Sequence, residues 1–150
     1  MTGDDARLAG KMLTEAGAAV VRLGPAFGGP AMTNPAVAAR GGLLDWWFDG
    51  GKDVVVDDLA SEAGQRAYRR LAERADLVIE SSPPGRLAEV GSDHDALVEV
   101  NPRLVQVSLT PFGRTGPRAH WQTSDLVAGA LGGVLSVSGT ADHAVNPWGR

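Results

Sequence analysis

Hydrophobic and polar positions alternate between a helical and a strand pattern along the chain. Within residues 6–16 the apolar positions recur at helical spacing, at Leu8, Met12, Leu13 and Ala16, and Gly17 then ends the pattern. Short apolar runs predict strands at residues 19–23, 54–56, 77–79 and 104–108. Because helices separate these strands, the strands need crossover connections and form a parallel sheet. The pattern predicts one α/β domain with an open, mainly parallel sheet and helices on both faces.

Local signals place the helices between these strands. Residues 36–48 are expected to be helical in part, with a break at Gly41-Gly42. Ser61 is a good N-cap for the next helix, whose apolar stripe is Ala63, Ala67, Leu71 and Ala75. Ser92 with Asp95 three residues later resembles a capping box. The helix that follows ends at Asn101, because the residue before a proline avoids helical geometry.

Charge and composition exclude several classes of function. The 150 residues include 18 acidic and 14 basic side chains, for a net charge of -4, so neither a nucleic-acid nor an anionic-membrane surface is expected. An anionic ligand must therefore be held by a local site. Cysteine is absent, which excludes disulfides, thiolate metal sites and a cysteine nucleophile. The N-terminal residues lack the features of a signal peptide, and we expect a cytoplasmic protein.

Ligands of open parallel sheets bind at the carboxyl ends of the strands. The loops at these positions, residues 24–30, 57–61, 81–86 and 111–118, are rich in Gly, Pro, Ser or Asp. Their backbone N–H groups are suited to phosphate oxygens, although the same residues also make ordinary turns. The glycine fingerprint of dinucleotide sites, the P-loop and the Gly-x-Ser-x-Gly elbow are absent. The histidines lie far apart in sequence, and no metal site is expected.

Three segments go beyond composition. They read Asn-Pro-Arg-Leu at residues 101–104, Phe-Gly-Arg-Thr-Gly-Pro at 112–117 and Ser-Asp-Leu-Val-Ala at 124–128. Together they resemble the hallmark of class III CoA-transferases, the carnitine and formyl-CoA transferase family. Segments at residues 10–23, 58–64 and 75–85 also resemble that family, in the same order, so the resemblance covers nearly the whole chain.

The resemblance implies a Rossmann-like fold and CoA transfer between an acyl-CoA and a carboxylic acid. In that family an aspartate carboxylate forms a mixed anhydride and then an aspartyl-CoA thioester. Coenzyme A is thus a substrate, and neither a metal nor another cofactor is implied. The partners implied are acyl-CoA or CoA and a second chain, as a homodimer or as a complex with a complete transferase chain.

The sequence also departs from the family pattern. The family's first strand precedes the first helix, and its nucleophilic aspartate is expected beyond Arg150, so we expect a fragment that is inactive alone. Asp125 and Asp142 do not match the nucleophile's motif. Basic family positions are occupied by Asp53 and Ala60, and Gly24 stands where an acidic residue is expected.

Five residues form the CoA site that the resemblance implies: Lys52, Ser81, Pro84, Gly85 and Arg114. Each also has an ordinary alternative role. Lys52 is then a solvated charge at a strand end, Arg114 a partner in a loop ion pair, and Pro84-Gly85 a turn.

Two other classes of function stay open. A NAD(P)-dependent oxidoreductase would use Asp57 or Asp58 on the ribose, but the glycine fingerprint is missing. A non-catalytic interaction domain would associate with a complete transferase, and Trp46-Trp47 would mark the interface if exposed, although such aromatic pairs are more often core.

Overall fold

A computed structural model of the protein describes residues 4–24 and 41–138. The chain divides into two compact units, Met1–Thr110 and Pro111–Arg150. The described elements of the first unit are α1 (Asp4–Glu15), β1 (Val21–Gly24), α2 (Gly41–Asp49), β2 (Asp53–Val56), α3 (Glu62–Ala72), β3 (Leu77–Glu80), α4 (Arg86–Glu89), α5 (His94–Val100) and β4 (Val105–Ser108). The second unit contains α6 (Asp125–Leu131) and a 3₁₀ helix (Val134–Val137).

The strands pair in parallel. Strand β1 pairs with β2, from Val21 opposite Asp53 to Gly24 opposite Val56. Strand β3 pairs with β4, from Leu77 opposite Val105 to Glu80 opposite Ser108. Within the described residues these pairs form two separate two-stranded sheets. The predicted open α/β fold with parallel strands is therefore confirmed.

Helix α3 begins as the sequence predicts but buries a different face. The Ser61 hydroxyl accepts a hydrogen bond from the Gly64 N–H at 3.0 Å, which caps the helix. The buried residues are Gly64, Tyr68 and Ala72, whereas Ala63 of the predicted stripe is exposed. Ala67, Leu71 and Ala75 of the predicted stripe are half-buried, so the buried face is centred one position beyond the stripe, on the large side chain of Tyr68.

Gly64 allows the start of α3 to approach the loop after β2. A Cβ at Gly64 would overlap the backbone carbonyl of Asp58 and lie 3.0 Å from the Leu59 nitrogen. Only glycine fits without movement of the loop, since such distances are shorter than van der Waals contact. The spacing of Asp58, Leu59 and Gly64 therefore has a packing role.

The core of the first unit lies between α3, α5 and the start of β4. Its buried members are Tyr68, Ala72, Leu97 and Leu104, and Leu23, Leu59, Ala75 and Val78 pack against them. Leu97 is fully buried. Complete burial of one such side chain contributes about 1.5–3 kcal/mol.

The Asn-Pro-Arg-Leu segment connects α5 to this core. The Asn101 Nδ2 donates to the carbonyl oxygens of Ala72 at 2.9 Å and Ala75 at 2.8 Å, so it satisfies the end of α3. The Asn101 Oδ1 accepts from the Arg103 N–H at 3.2 Å. Helix α5 ends at Val100, which confirms the predicted end before Asn101. This segment thus stabilises the fold.

The N-cap of α5 and the start of α2 differ from the sequence prediction or lie partly outside the described residues. The N-cap of α5 is Asp93, whose carboxylate accepts from the Ala96 N–H at 3.3 Å, and not Ser92, which is buried. Aspartate and serine are both good N-cap residues, because the side-chain oxygen of either accepts a hydrogen bond from an N–H of the first turn. The cap therefore lies at Asp93, one residue after the predicted Ser92. Helix α2 begins at Gly41, and the part of the predicted helix that precedes this residue lies outside the described residues.

The second unit is small, and its described helix is largely exposed. Phe112 and Trp121 stack edge to face with ring centroids 6.0 Å apart. Ser124 caps α6 and accepts from the Val127 N–H at 3.4 Å, and no residue of α6 is buried. Across the described residues of both units, helices are too short or too polar to cross a bilayer.

Candidate functional site

The carboxyl end of β3 opens into the Ser81–Arg86 loop. The backbone N–H of Leu109 donates to the Glu80 carbonyl oxygen at 2.8 Å, which continues the β3–β4 ladder by one residue. The Glu80 carboxylate is 9% exposed and accepts from the Ser82 N–H at 2.7 Å. A buried carboxylate therefore fixes the first turn of the loop.

A tight turn follows at Pro83–Arg86. The Arg86 N–H donates to the Pro83 carbonyl oxygen at 3.1 Å, and Gly85 has φ 87° and ψ -20°. These angles are those of the third residue of a type II turn, where glycine is preferred and proline suits the position before it. Pro84 and Gly85 thus have the turn role that the sequence allows. The turn also exposes Gly85 backbone at the carboxyl end of β3.

The loop after β2 holds its own backbone. The Asp57 N–H donates to the Gly24 carbonyl oxygen at 3.0 Å, so the loop is attached to β1. The Asp57 Oδ1 accepts from the Asp58 N–H at 2.8 Å, and the Asp58 Oδ1 accepts from the Ala60 N–H at 2.9 Å. Both carboxylates therefore shape this turn.

Lys52 lies immediately before β2, at the amino end of that strand. Its side chain is 2% exposed, and its Nζ donates to the Arg7 carbonyl oxygen at 2.8 Å and to the Asp49 Oδ1 at 3.0 Å. Gly10 leaves room for it, since a Cβ there would lie 3.2 Å from Nζ. Lys52 is therefore not the solvated strand-end charge that the sequence left as its alternative role.

A buried ion network surrounds Asp49 at the end of α2. The Asp49 Oδ2 lies 2.7 Å from Arg7 Nη2 and 3.4 Å from Arg22 Nε, and its side chain is 2% exposed. Arg7 also pairs with Asp45 at 2.7 Å. The network joins α1, β1 and α2 through charged hydrogen bonds, which are stronger than neutral ones.

The network shifts the pKa values of its members. Burial works against ionisation of Asp49, but hydrogen bonds from Arg7 and Lys52 outweigh it and hold the pKa of Asp49 below its ordinary value. Burial likewise works against the charge of Arg7, whereas hydrogen bonds to Asp49 and Asp45 raise the pKa of Arg7. Both groups are therefore ionised near neutral pH.

Arg114 belongs to the second unit, in the loop before α6. It is exposed, and it lies between two glycines with left-handed φ angles, Gly113 at 83° and Gly116 at 99°. The predicted site residues are thus distributed over three places. Ser81, Pro84 and Gly85 share the loop after β3, Lys52 lies at the amino end of β2, and Arg114 is in the other unit.

The tryptophans of α2 are exposed, and not core as such aromatic pairs more often are. Trp46 is 72% exposed and Trp47 is 45% exposed. Together with Lys11, Gly50 and Gly51 they line a cavity of about 320 Å³, and Lys11 Nζ lies 5.0 Å from the Trp47 ring centroid. On α1, Leu8 at 41% and Met12 at 64% are also exposed.

The described residues give no sign of a metal centre. They contain no group of three His, Cys, Asp or Glu side chains suited to a metal ion. His94 and His120 are both exposed, and His143 lies outside the described residues.

The geometry defines an α/β protein with polar loops at the carboxyl ends of parallel strands, and comparison with known proteins adds the family. The model of CoA-transferase family III matches residues 6–148. The chain therefore belongs to CoA-transferase family III, as its motifs predict.

Curated relatives agree with this assignment. The chain is 40% identical over 146 residues to the succinyl-CoA:(R)-benzylsuccinate CoA-transferase subunit BbsE of Thauera aromatica. This match covers 93% of this chain and 35% of the relative. It is 34% identical over 142 residues to the succinate–glutarate CoA-transferase of Agrobacterium fabrum, covering 89% and 36%. The chain thus spans about a third of the length of these relatives.

Solved structures match in the same way. A crystal structure of a CAIB/BAIF family protein from Brucella suis has a TM-score of 0.78 and 29% identity, covering 96% of this chain and 39% of that chain. A crystal structure of Rv3272 from M. tuberculosis has a TM-score of 0.75 and 28% identity, covering 95% and 39%. The fold of this chain is therefore that of the corresponding part of these proteins, about two fifths of each.

Sequence reasoning missed the network around Asp49. The available signal was the pair of acidic residues at Asp45 and Asp49, one helical turn apart on α2, with Lys52 just beyond. Their partner Arg7 lies 42 positions away from Asp49 in sequence, a separation that only the tertiary fold closes.

Proposed function

We propose that this chain supplies the CoA-binding part of a family III CoA-transferase, which transfers CoA between an acyl-CoA and a carboxylic acid. The observation that carries the proposal is the family match over residues 6–148, together with the polar loop at the carboxyl end of β3, in which Gly85 is exposed. Ser81 and the backbone of Gly85 would hold CoA there, with Pro84 fixing the turn. Arg114, in the second unit, stays a prediction of the resemblance.

The proposed reaction proceeds through a carboxylate nucleophile. An aspartate carboxylate attacks the acyl-CoA carbonyl, the C–S bond breaks, and CoA thiolate leaves as a mixed anhydride forms. The thiolate then attacks the aspartyl carbonyl of the anhydride, which releases the first acid and forms an aspartyl-CoA thioester. The acceptor carboxylate repeats these two steps in reverse order and leaves with CoA.

We place this nucleophile outside the described residues. Among the described carboxylates, Asp125 occupies the first turn of α6, where a negative charge stabilises the helix N-terminus, and Ser124 caps the same helix. Asp49 is engaged by Arg7 and Lys52. We therefore propose that the chain binds CoA but does not transfer it alone, in keeping with the expected cytoplasmic role as one part of an enzyme.

Calorimetric titration of the purified chain with CoA tests the proposal, with NADH as the control ligand. We expect binding in the micromolar range for CoA and none for NADH. Preferential binding of NADH would support the oxidoreductase alternative, and absence of CoA binding by the folded chain would contradict the proposal.

A charge substitution tests the loop after β3. Ser81→Asp places a negative charge beside the proposed phosphate position and should weaken CoA binding by about tenfold. Ser136→Asp, at an exposed position of the 3₁₀ helix, is the matched control and should leave the affinity unchanged. Equal affinities of the two variants would remove Ser81 from the site.

Lys52 stays part of the proposal, with a test that separates binding from folding. Lys52→Met keeps the apolar stem but removes the ammonium group that donates a hydrogen bond to Asp49. CoA titration is therefore compared only at temperatures where circular dichroism shows the variant to be folded. Unchanged affinity would leave Lys52 with a structural role.

The exposed apolar surface of α1 and α2 supports association with another family III chain. It comprises Leu8, Met12, Trp46 and Trp47. The Thauera aromatica relative is itself described as a subunit. Changing both tryptophans to serine should abolish association in sedimentation velocity while circular dichroism stays unchanged; persistent association would place the interface elsewhere.

A further inference from the structure

The two faces of the β3–β4 pair differ in polarity. Paired residues of a parallel ladder share a face, and successive residues of a strand alternate between faces. The register therefore places on one face, the inner face, Val78, Glu80, Gln106 and Ser108. It places on the other face, the outer face, Leu77, Ile79, Val105 and Val107. The outer face is thus entirely apolar, whereas three of the four inner side chains are polar.

The inner face is the one that the described helices cover. Val78 packs against the buried cluster of the first unit, as does Leu23 of β1. The Glu80 side chain is 9% exposed, and both amide atoms of the Gln106 side chain are buried. The more polar face of this pair is therefore turned toward the core.

The outer face is exposed in the described part of the chain. Val105 is 57% exposed, and Val107 and Leu77 are each 38% exposed. Helix α1 contacts β3, so the helix layer on this side reaches the first strand of the pair but leaves the β4 valines accessible. Parallel sheets occur almost only with both faces covered. A contiguous apolar face of this kind marks an interaction surface.

The length of the relatives indicates what covers this face. The match to this chain takes up 35% of the Thauera aromatica relative and 39% of the Brucella suis chain. Most of the polypeptide of those proteins therefore lies outside the matched part. Parallel sheets are covered by helices, whereas packing of one sheet on another is typical of antiparallel sandwiches. A helix from that remaining polypeptide therefore fits the outer face better than a second copy of the same sheet.

We infer that the outer face of β3–β4 docks an apolar helix from the part of a family III CoA-transferase that lies outside the match to this chain. The contact buries Val105, Val107 and Leu77 and completes the second helix layer over this pair of strands. The inference depends on membership of the family and holds whether or not the chain binds CoA. The surface is also distinct from the Trp46–Trp47 surface, which lies on α2.

The test uses two exposed strand valines that differ only in their sheet. Val105 of β4 and Val56 of β2 are both 57% exposed, so Val105→Lys is the test variant and Val56→Lys its matched control. Each chain is tagged and co-expressed with the part of the Thauera aromatica relative that follows the match. Complexes are purified and examined by sedimentation velocity, and the free chains by circular dichroism. We expect a one-to-one complex for the unchanged chain and for Val56→Lys. For Val105→Lys we expect an affinity lower by at least about a hundredfold, because docking would bury an unpaired ammonium group.

The other outcomes each overturn the inference. Loss of the complex with both valine variants, or with neither, shows that the outer face is not the docking surface. Failure of the unchanged chain to form a complex, including insolubility of the co-expressed polypeptide, rejects the partner. Self-association of the chain that Val105→Lys abolishes assigns the face to a second copy. Unfolding of the free Val105→Lys chain shows that the valine belongs to the core, because an exposed side chain tolerates the charge. CoA titration is a separate measurement, so none of these results decides the proposed function.

Discussion

Replacing Asp49 with asparagine removes the charge that Arg7 and Lys52 share in the first unit. Asparagine keeps the shape and one acceptor oxygen, but its amide nitrogen then faces a cation. The side chains of Asp49 and Lys52 are each 2% exposed, so water does not reach the Lys52 ammonium in place of the carboxylate. We therefore expect a large loss of stability without a change of fold.

The size of the loss follows from the contacts. Asp49 accepts from Arg7 at 2.7 Å and from Lys52 at 3.0 Å. Breaking a buried ion pair on one side typically costs about 3–5 kcal/mol, because the remaining charge stays buried. For a domain of this size that corresponds to a fall in Tm of roughly 6–20 °C. Domains have only about 5–15 kcal/mol of stability, so the variant is close to unfolding.

Urea denaturation followed by far-UV circular dichroism measures the effect at pH 7 and pH 3. The folded pKa of Asp49 lies below its ordinary value. Its stabilisation is therefore complete above an ordinary aspartate pKa of about 3.9, and it is lost as the pH falls through the lower folded value. The difference between the unchanged chain and Asp49→Asn should accordingly be large at pH 7 and should shrink as the pH falls toward that folded value.

Two control substitutions, Asp45→Asn and Glu62→Gln, test whether the loss of stability is specific to the buried Asp49 carboxylate. Asp45→Asn removes a carboxylate that contacts Arg7 but is more exposed, at 13%, and should cost less. Glu62→Gln removes an exposed charge of the Arg66 pair, and surface changes of this kind stay within about 0.5 kcal/mol. A loss below about 1 kcal/mol for Asp49→Asn at pH 7, with an unchanged denaturant slope, would refute the buried-network argument.

Three further substitutions test the packing of the first unit, each by urea denaturation. Gly64→Ala should cost about 1–3 kcal/mol because its Cβ overlaps the Asp58 carbonyl, and a gain in stability, as helix propensity alone predicts, would contradict the close approach. Leu97→Ala should cost about 2–5 kcal/mol because the side chain is fully buried, and a cost near zero would mean that the core lies elsewhere. Ser61→Ala should cost about 1 kcal/mol because the Gly64 N–H loses its cap, whereas Ser61→Asp should retain most of the stability.

The family and the element types were accessible from the sequence because local signals carry them. Ser61 and the residue before Pro102 mark helix limits through their own backbone chemistry. The predicted strands at residues 54–56 and 77–79 correspond to β2 and β3 within one residue at each end. Motif order along the chain identified CoA-transferase family III, since the motifs are contiguous stretches.

The buried face of α3 and the N-cap of α5 were harder to predict from the sequence, because each depends on a shift of one residue. The buried face of α3 is centred on Gly64, Tyr68 and Ala72, and the predicted stripe of three alanines and Leu71 lies one position away. Small residues give a weak periodic signal, so the single large side chain, Tyr68, decided the face. The cap of α5 was misplaced for a similar reason, since Ser92 and Asp93 are both good cap residues.

The sequence by itself determined the order of helices and strands, the parallel pairing and the family, because periodicity, caps and motifs act over a few residues. Only the tertiary structure decided which charges meet. The sequence offered Lys52 as a CoA-binding cation or, alternatively, as a solvated charge at a strand end, but the fold buries it against Asp49 and Arg7. Arg22 attracted no attention in sequence, yet the fold carries its guanidinium to Gly24. Charged side chains are long and carry no periodic pattern, so their partners follow from how α1, β1 and α2 pack together.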